Sequence, residues 1–204
     1  MDDLLKLNDL LAETARQHDH LCPRQVIGVR MGILAGKLLE LEVPQTHKHL
    51  FTFVETDGCF ADGVAAATGC TLGHRTLRLV DYGKTAATFV DVKSERAVRI
   101  TPSPRLRALA AEMEPAAQSR WHAQLSSYQK ILDELMFEVC WVTLDLSLAE
   151  LISRPGVRVN CAVCGEEIIN EREIMVNGET LCRACAGEGY YHARMLESSQ
   201  HVTR

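Results

Sequence analysis

Apolar side chains at Leu4, Leu5, Leu7, Leu10 and Leu11 recur at a spacing that places them on one helical face, which predicts a helix over residues 4–17. A second helix is predicted over 23–41, because Pro23 suits a first helical position, where the N–H it lacks would be unpaired anyway. Residues 50–56 carry aromatic and β-branched side chains and read as a strand. The small residues Ala61, Ala65, Ala66 and Ala67 predict a closely packed helix over 60–68, with Gly69 placed to end it in a left-handed cap. Alternation resumes at 76–82, 86–92 and 97–101, predicting an antiparallel meander that Pro102 and Pro104 interrupt. Helices over 105–114 and 118–135 and a last strand over 137–146 complete the pattern. Helices, a mostly antiparallel sheet and further helices make an α+β fold, not a repeating βαβ series.

The joint Arg154-Pro155-Gly156 divides the chain into a core domain, 1–154, and a terminal segment, 155–204, of different chemistry. That segment holds Cys161-Ala-Val-Cys164 and Cys182-Arg-Ala-Cys185, with 17 residues (165–181) between the pairs. Two CxxC turns joined by a hairpin present four thiolates to one tetrahedral ion, so the spacing predicts a zinc ribbon with structural zinc. Disulfides are the competing assignment and need an oxidising compartment. The opening residues, Met1 to Lys6, are charged and lack an export signal's basic and apolar regions, so metal is the better assignment. Iron in a rubredoxin-like site uses similar spacing, but nothing in the polar hairpin 166–179 suggests electron transfer.

The composition, 47% hydrophobic and 24% charged, is that of a water-soluble globular protein, and a cytoplasmic location with no membrane association is expected. Even the apolar run 26–41 contains Arg30, Lys37 and Glu40. A net charge of −5 argues against a general polyanion binder. From 158 to 204 there are five arginines against seven glutamates, so no nucleic-acid partner is expected there either.

A second constellation precedes the helix at 23. His18-Asp-His20-Leu-Cys22-Pro23 gathers two imidazoles and a thiol within five residues, and Pro23 disfavours an α conformation at Cys22, so the three groups can converge. Cys22 and Cys59 each stand at a predicted helix start, where unpaired amides and the dipole favour a thiolate. Histidines near helix ends also serve as caps, and free cysteines are often simply buried. Cys140, alternating with apolar residues, is expected in the core; His47 and His49 are expected on the surface. Gly83-Lys84-Thr85 lacks the upstream glycines of a phosphate-binding loop.

The ordered set His18-x-His20-x-Cys22-Pro23, Gly28-x-Arg30-Met31-Gly32, Asp57-x-Cys59-x-x-Asp62, Thr68-Gly69-Cys70-Thr71-Leu72-Gly73 and Asp81-Tyr82-Gly83-Lys84 resembles the family named for the E component of formylmethanofuran dehydrogenase. The resemblance implies an α+β core whose histidine and cysteine motifs form a pocket, often metallated, followed by a zinc ribbon. It also implies association with a molybdenum or tungsten oxidoreductase that reduces CO₂ and attaches it as a formyl group to methanofuran, a methanogenesis-related reaction. In that enzyme the E component does not hold the pterin cofactor. This chain departs from the pattern at Asp19 and Arg24, where relatives carry glycine, and at Phe60-Ala61-Asp62-Gly63, where they continue His-Pro-Asp-Ala.

The expected function is thus that of a metal-binding accessory component of an oxidoreductase, with a second transition metal at His18, His20, Cys22 and Cys59. Cys59, Asp62 and Asp19 are the candidates for chemistry there. Other oxidoreductase subunits are expected partners, as is a second copy of the chain, for which the aliphatic helix 26–41 offers an interface. The alternative is a protein-docking or regulatory module, transcription-related and without catalysis, contacting partners through Ile168, Ile169, Ile174 and Met175.

Overall fold

The computed structural model describes residues 2–16, 20–152 and 156–192, with side chains throughout except at 2–5, 150 and 151. It comprises two compact units, 1–145 and 146–204. His18, Asp19, the joint at Arg154-Pro155 and the tail 193–204 lie outside the described residues.

The first unit opens with α1 (Asp2–Arg16), which turns Leu7, Leu10, Leu11 and Thr14 inward at helical spacing. α2 (Pro23–Leu39) is buried on nearly all sides and is the central helix of the unit, so its aliphatic surface is core and not a free interface. Its chain is tied at both ends. Gln25 accepts from the Cys22 amide at 2.7 Å and donates to the Thr14 carbonyl of α1 at 3.0 Å, while Glu40 ends the helix in a left-handed conformation. β1 (Leu50–Val54) and α3 (Cys59–Thr68) follow, and Gly69, at φ +72°, caps α3 as predicted. α2 and α3 pack backbone against backbone: a Cβ on Gly28 would lie 2.3 Å from the Phe60 carbonyl oxygen, and one on Gly63 2.4 Å from that of Gln25.

β2 (Leu77–Leu79), β3 (Ala87–Asp91) and β4 (Ala97–Pro102) come next, then α4 (Leu106–Met113), α5 (Arg120–Ser127), α6 (Asp133–Met136) and β5 (Phe137–Val142). The sheet order is β2-β1-β3-β4-β5, parallel between β1 and β2 and antiparallel elsewhere. The fold is α+β with a mostly antiparallel sheet, as expected, but the three alternating segments do not form a meander. β1 separates β2 from β3, because residues 80–84 run across the end of β1, with Val80 donating to Val54 and both Tyr82 and Lys84 to the Glu55 carbonyl. β1 and β3 are buried on both faces, as interior strands are.

Two further expectations change. The helix predicted over 118–135 breaks after Ser127, where Arg30 of α2 donates to the Tyr128 carbonyl at 2.8 Å and pairs with Asp133 at 2.5 Å. Cys140 is exposed, not core, because β5 is an edge strand whose residues 138–141 are open to solvent. No helix among the described residues is long and apolar enough to cross a membrane.

The second unit contains α7 (Leu148–Ile152), the hairpin β6 (Arg158–Asn160) to β7 (Glu167–Ile169), the hairpin β8 (Ile174–Val176) to β9 (Glu179–Leu181), and a helical turn, Ala184–Glu188. Asn177 and Gly178 both take positive φ between β8 and β9, the turn that suits a tight hairpin. Among the described residues the buried cluster here is Cys161, Ile168 and Leu181. Ile168 therefore belongs to the interior and not to a contact face, whereas Ile169 and Met175 are exposed.

Candidate metal centre and thiol pair

The four ribbon cysteines converge because each CxxC follows a strand and curls back on itself. After β6, Gly165 donates to the Cys161 carbonyl at 2.9 Å and Cys161 to the Glu166 carbonyl at 2.9 Å, closing the first turn. After β9, the Cys185 amide donates to Cys182 Sγ at 3.4 Å and the Cys182 amide to Cys161 Sγ at 3.3 Å, so backbone dipoles point at the sulfurs. All four Sγ atoms lie within 4.8 Å of one another.

Cys164 Sγ and Cys182 Sγ are 3.9 Å apart. A disulfide requires about 2.05 Å, whereas sulfurs at tetrahedral corners about 2.3 Å from a zinc ion stand about 3.8 Å apart. The donor set therefore fits a metal such as zinc and does not fit paired disulfides. Electrostatics divides the thiols. Amides of Cys164 and Cys182 donating to Cys161 bring it down to about 6, while the neighbouring Cys182 thiol, burial and the other sulfurs push Cys185 up to about 12. Four thiols this close cannot all ionise without a cation, and a bound ion releases the protons that keep them neutral.

In the first unit, Cys22 is buried at the N-cap of α2 and Cys59 is half-buried as the first residue of α3. The close packing at Gly28 and Gly63 brings the two helix starts together, near enough for the Cys22 thiol to act on that of Cys59. The expected thiolate at Cys59 is not favoured. Burial, the Cys22 thiol and the Asp62 charge raise it and outweigh the helix-start amide. His20 is exposed, and among the described residues it joins no group of three ligand side chains with Cys22 and Cys59; the ribbon cysteines alone make such a group.

Gln25, which positions the Cys22 amide, has no place in the metal-ligand pattern, although a glutamine at the third position of a helix is a capping signal that could have found it. Cys70 is a structural thiol. It accepts from Thr52 Oγ1 at 3.4 Å and donates to the Leu50 carbonyl at 3.3 Å, fully buried beneath the sheet.

Three comparisons with known proteins bear on this arrangement. A curated relative from Archaeoglobus fulgidus, named "Probable S-adenosyl-L-methionine-binding protein", is 30% identical over 203 residues. The alignment takes in 91% of this chain but 54% of the relative, so the chain spans about half that protein's length. The crystal structure of a tungsten formylmethanofuran dehydrogenase FmdE-like protein from Syntrophus aciditrophicus superposes with a TM-score of 0.58 at 20% identity. That match covers 91% of this chain and 95% of the other, and it establishes a shared fold. Residues 17–140 match the family model described as "FmdE, Molybdenum formylmethanofuran dehydrogenase operon", a stretch that includes Cys22, Cys59 and Asp62; the chain belongs to the FmdE family.

Proposed function

We propose that this chain is a metal-binding accessory protein of an FmdE-type oxidoreductase, with structural zinc held by Cys161, Cys164, Cys182 and Cys185. The observation that carries the metal-binding reading is the mutual approach of the four Sγ atoms within 4.8 Å. A Cys₄ site closes the coordination shell and leaves no position for substrate, so its role is to fold the second unit. Chemistry in this reading belongs to the first unit, where His18, His20, Cys22 and Cys59 are the proposed ligands of a second metal and Asp19 a candidate group for the reaction beside them.

In that pocket the half-buried Cys59 retains its proton until a base or a metal displaces it, since its surroundings hold the thiol above its ordinary range. Asp62, in the first turn of α3 and close enough for its charge to act on Cys59, is the proposed acceptor of that proton. A transition metal there would supply Lewis acidity or a redox couple. The oxidoreductase association rests on family membership, and dehydrogenase subunits are the proposed partners.

Metal analysis of the purified chain tests both sites. Two metal ions per chain are expected, falling by one in a Cys22→Ala/Cys59→Ala double variant and by the other in Cys161→Ser/Cys185→Ser. A count of one that the first variant leaves unchanged removes the core pocket. The docking alternative then stands, supported by the exposed Ile169, Met175, Tyr190 and Tyr191 of the second unit.

A further inference from the structure

A cleft of about 460 Å³ opens in the first unit between α2, α4 and α5, and three guanidinium groups line it: Arg24, Arg107 and Arg120. A second cleft of about 280 Å³ shares Arg24, Arg107 and Gln124 with the first, so the two form one continuous groove. Thr85 and Ser103 add hydroxyls to its far end. Among the described residues no carboxylate lines either part. Several other arginines of this unit pair with acids, among them Arg30 with Asp133, Arg96 with Glu40 and Arg99 with Glu55.

Gathering three cations without a carboxylate among them is unfavourable in a chain whose net charge is −5 and whose acids are plentiful. The positions make it more so. Arg24, Arg107 and Arg120 each occupy the first turn of their helix, where the dipole disfavours cations, and none of the three first turns contains an acidic residue. Charge, amide and hydroxyl donors set in a groove of ligand size, with no carboxylate in its lining to take the charge, suit one kind of occupant.

We propose that this groove binds a small phosphorylated molecule, a phosphate ester or diphosphate, through Arg24, Arg107 and Arg120. Guanidinium forks match phosphate oxygens two at a time, and three forks suit a group carrying several negative charges. Gln124, Thr85 and Ser103 are placed to read neutral polar atoms of the remainder of the molecule. The site is independent of the metal reading, since none of its residues is a proposed ligand. The net negative charge of the protein favours a small molecule over nucleic acid.

Calorimetric titration of the full-length chain with inorganic pyrophosphate tests the assignment. Saturable binding that weakens with salt is expected, with about a tenfold loss of affinity in each of Arg24→Ala and Arg107→Ala. Arg158→Ala, which removes a cation paired with Glu167 in the other unit, should leave binding unchanged. The three groove arginines are exposed, so the variants should keep the wild-type melting temperature, and Arg107→Gln removes charge while nearly preserving volume should Arg107→Ala fail to fold. Absence of saturation at millimolar pyrophosphate, or equal affinity in all variants, overturns the proposal. So does tighter, arginine-dependent binding of a short single-stranded oligonucleotide, which would make the groove part of a nucleic-acid surface.

Discussion

The two units are stabilised in opposite ways. Residues 1–145 bury an extended cluster running from Leu7 through Val26, Phe60, Phe89 and Ile100 to Phe137, and the central helix α2 has hardly a solvent-facing side. Among its described residues the second unit buries a cluster of one cysteine, one isoleucine and one leucine, and most side chains of its two hairpins are exposed. Hydrophobic burial scales with area, so the first unit can hold itself together while the second cannot. Under the proposed metal reading, four sulfurs around one ion substitute for the missing core, which accounts for cysteine, a small and reactive residue, in the interior of the second unit.

Metal removal should separate the two most sharply. A structural zinc ion contributes on the order of 10 kcal/mol to such small domains, more than a three-residue core can replace. Under a strong chelator, amides of β6 to β9 should lose their hydrogen-exchange protection while those of α2, β1 and β3 keep theirs. All four ribbon thiols should become open to alkylation. Simultaneous loss of protection in both units would show that the ribbon is no separate folding unit and would break the contrast.

A methyl group inserted into the first unit should have the next largest effect. Gly28→Ala places a Cβ 2.3 Å from the Phe60 carbonyl oxygen and 2.8 Å from the Val64 amide nitrogen, both rigid backbone atoms. The helices must separate, at a cost of about 3 kcal/mol, and the Cys22 and Cys59 thiols should move apart with them. Thermal unfolding should show a lowered transition for the first unit and an unchanged metal content at the ribbon. An unperturbed first transition would mean that α2 and α3 are less tightly seated than their backbone contacts indicate.

Local chemistry was legible in the sequence, and long-range partnership was not. Pro23 marks the start of α2 and Gly69 its neighbour's end because each acts within a turn of the chain, and the two CxxC turns at Cys161, Cys164, Cys182 and Cys185 mark a four-thiol cluster because their ligand chemistry calls for a joining hairpin. The break after Ser127 depends on Arg30, some hundred residues away, whose guanidinium captures a carbonyl that a longer helix would have used. Alternation revealed the strands 87–91 and 97–102 but carries no information about neighbours, so the parallel pairing of β2 with β1 and the edge position of Cys140 lay beyond it. At Cys59 the helix-start rule holds, but the rule cannot count the burial, the second thiol and the carboxylate that together reverse its effect. How His18 and Asp19 relate to that pair lies outside the described residues.

Acid should distinguish the units most gently. In the first, Asp91 closes the turn between β3 and β4. Burial alone would raise its carboxyl, but the Ser94 hydroxyl, the amides of Lys93 at 3.0 Å and Ser94 at 3.2 Å, and the charge of His49 outweigh that and hold it below the ordinary carboxylate range. A carboxyl depressed in the folded state stabilises the protein above its unfolded pKa of about 4, and that contribution disappears as pH falls through the lower folded value. The effect should be about 1 kcal/mol, seen as a stability of the first unit that is flat from neutral pH down to about 4 and declines below it. Asp91→Asn should lower the plateau and reduce the decline, since its side chain cannot gain or lose the proton. The ribbon should respond at higher pH, because protons compete directly with metal for thiolates, so a first unit that retains its protection after acid has released the ribbon's metal would demonstrate that hydrogen bonds at Asp91 and sulfur ligands at Cys161 answer to separate equilibria.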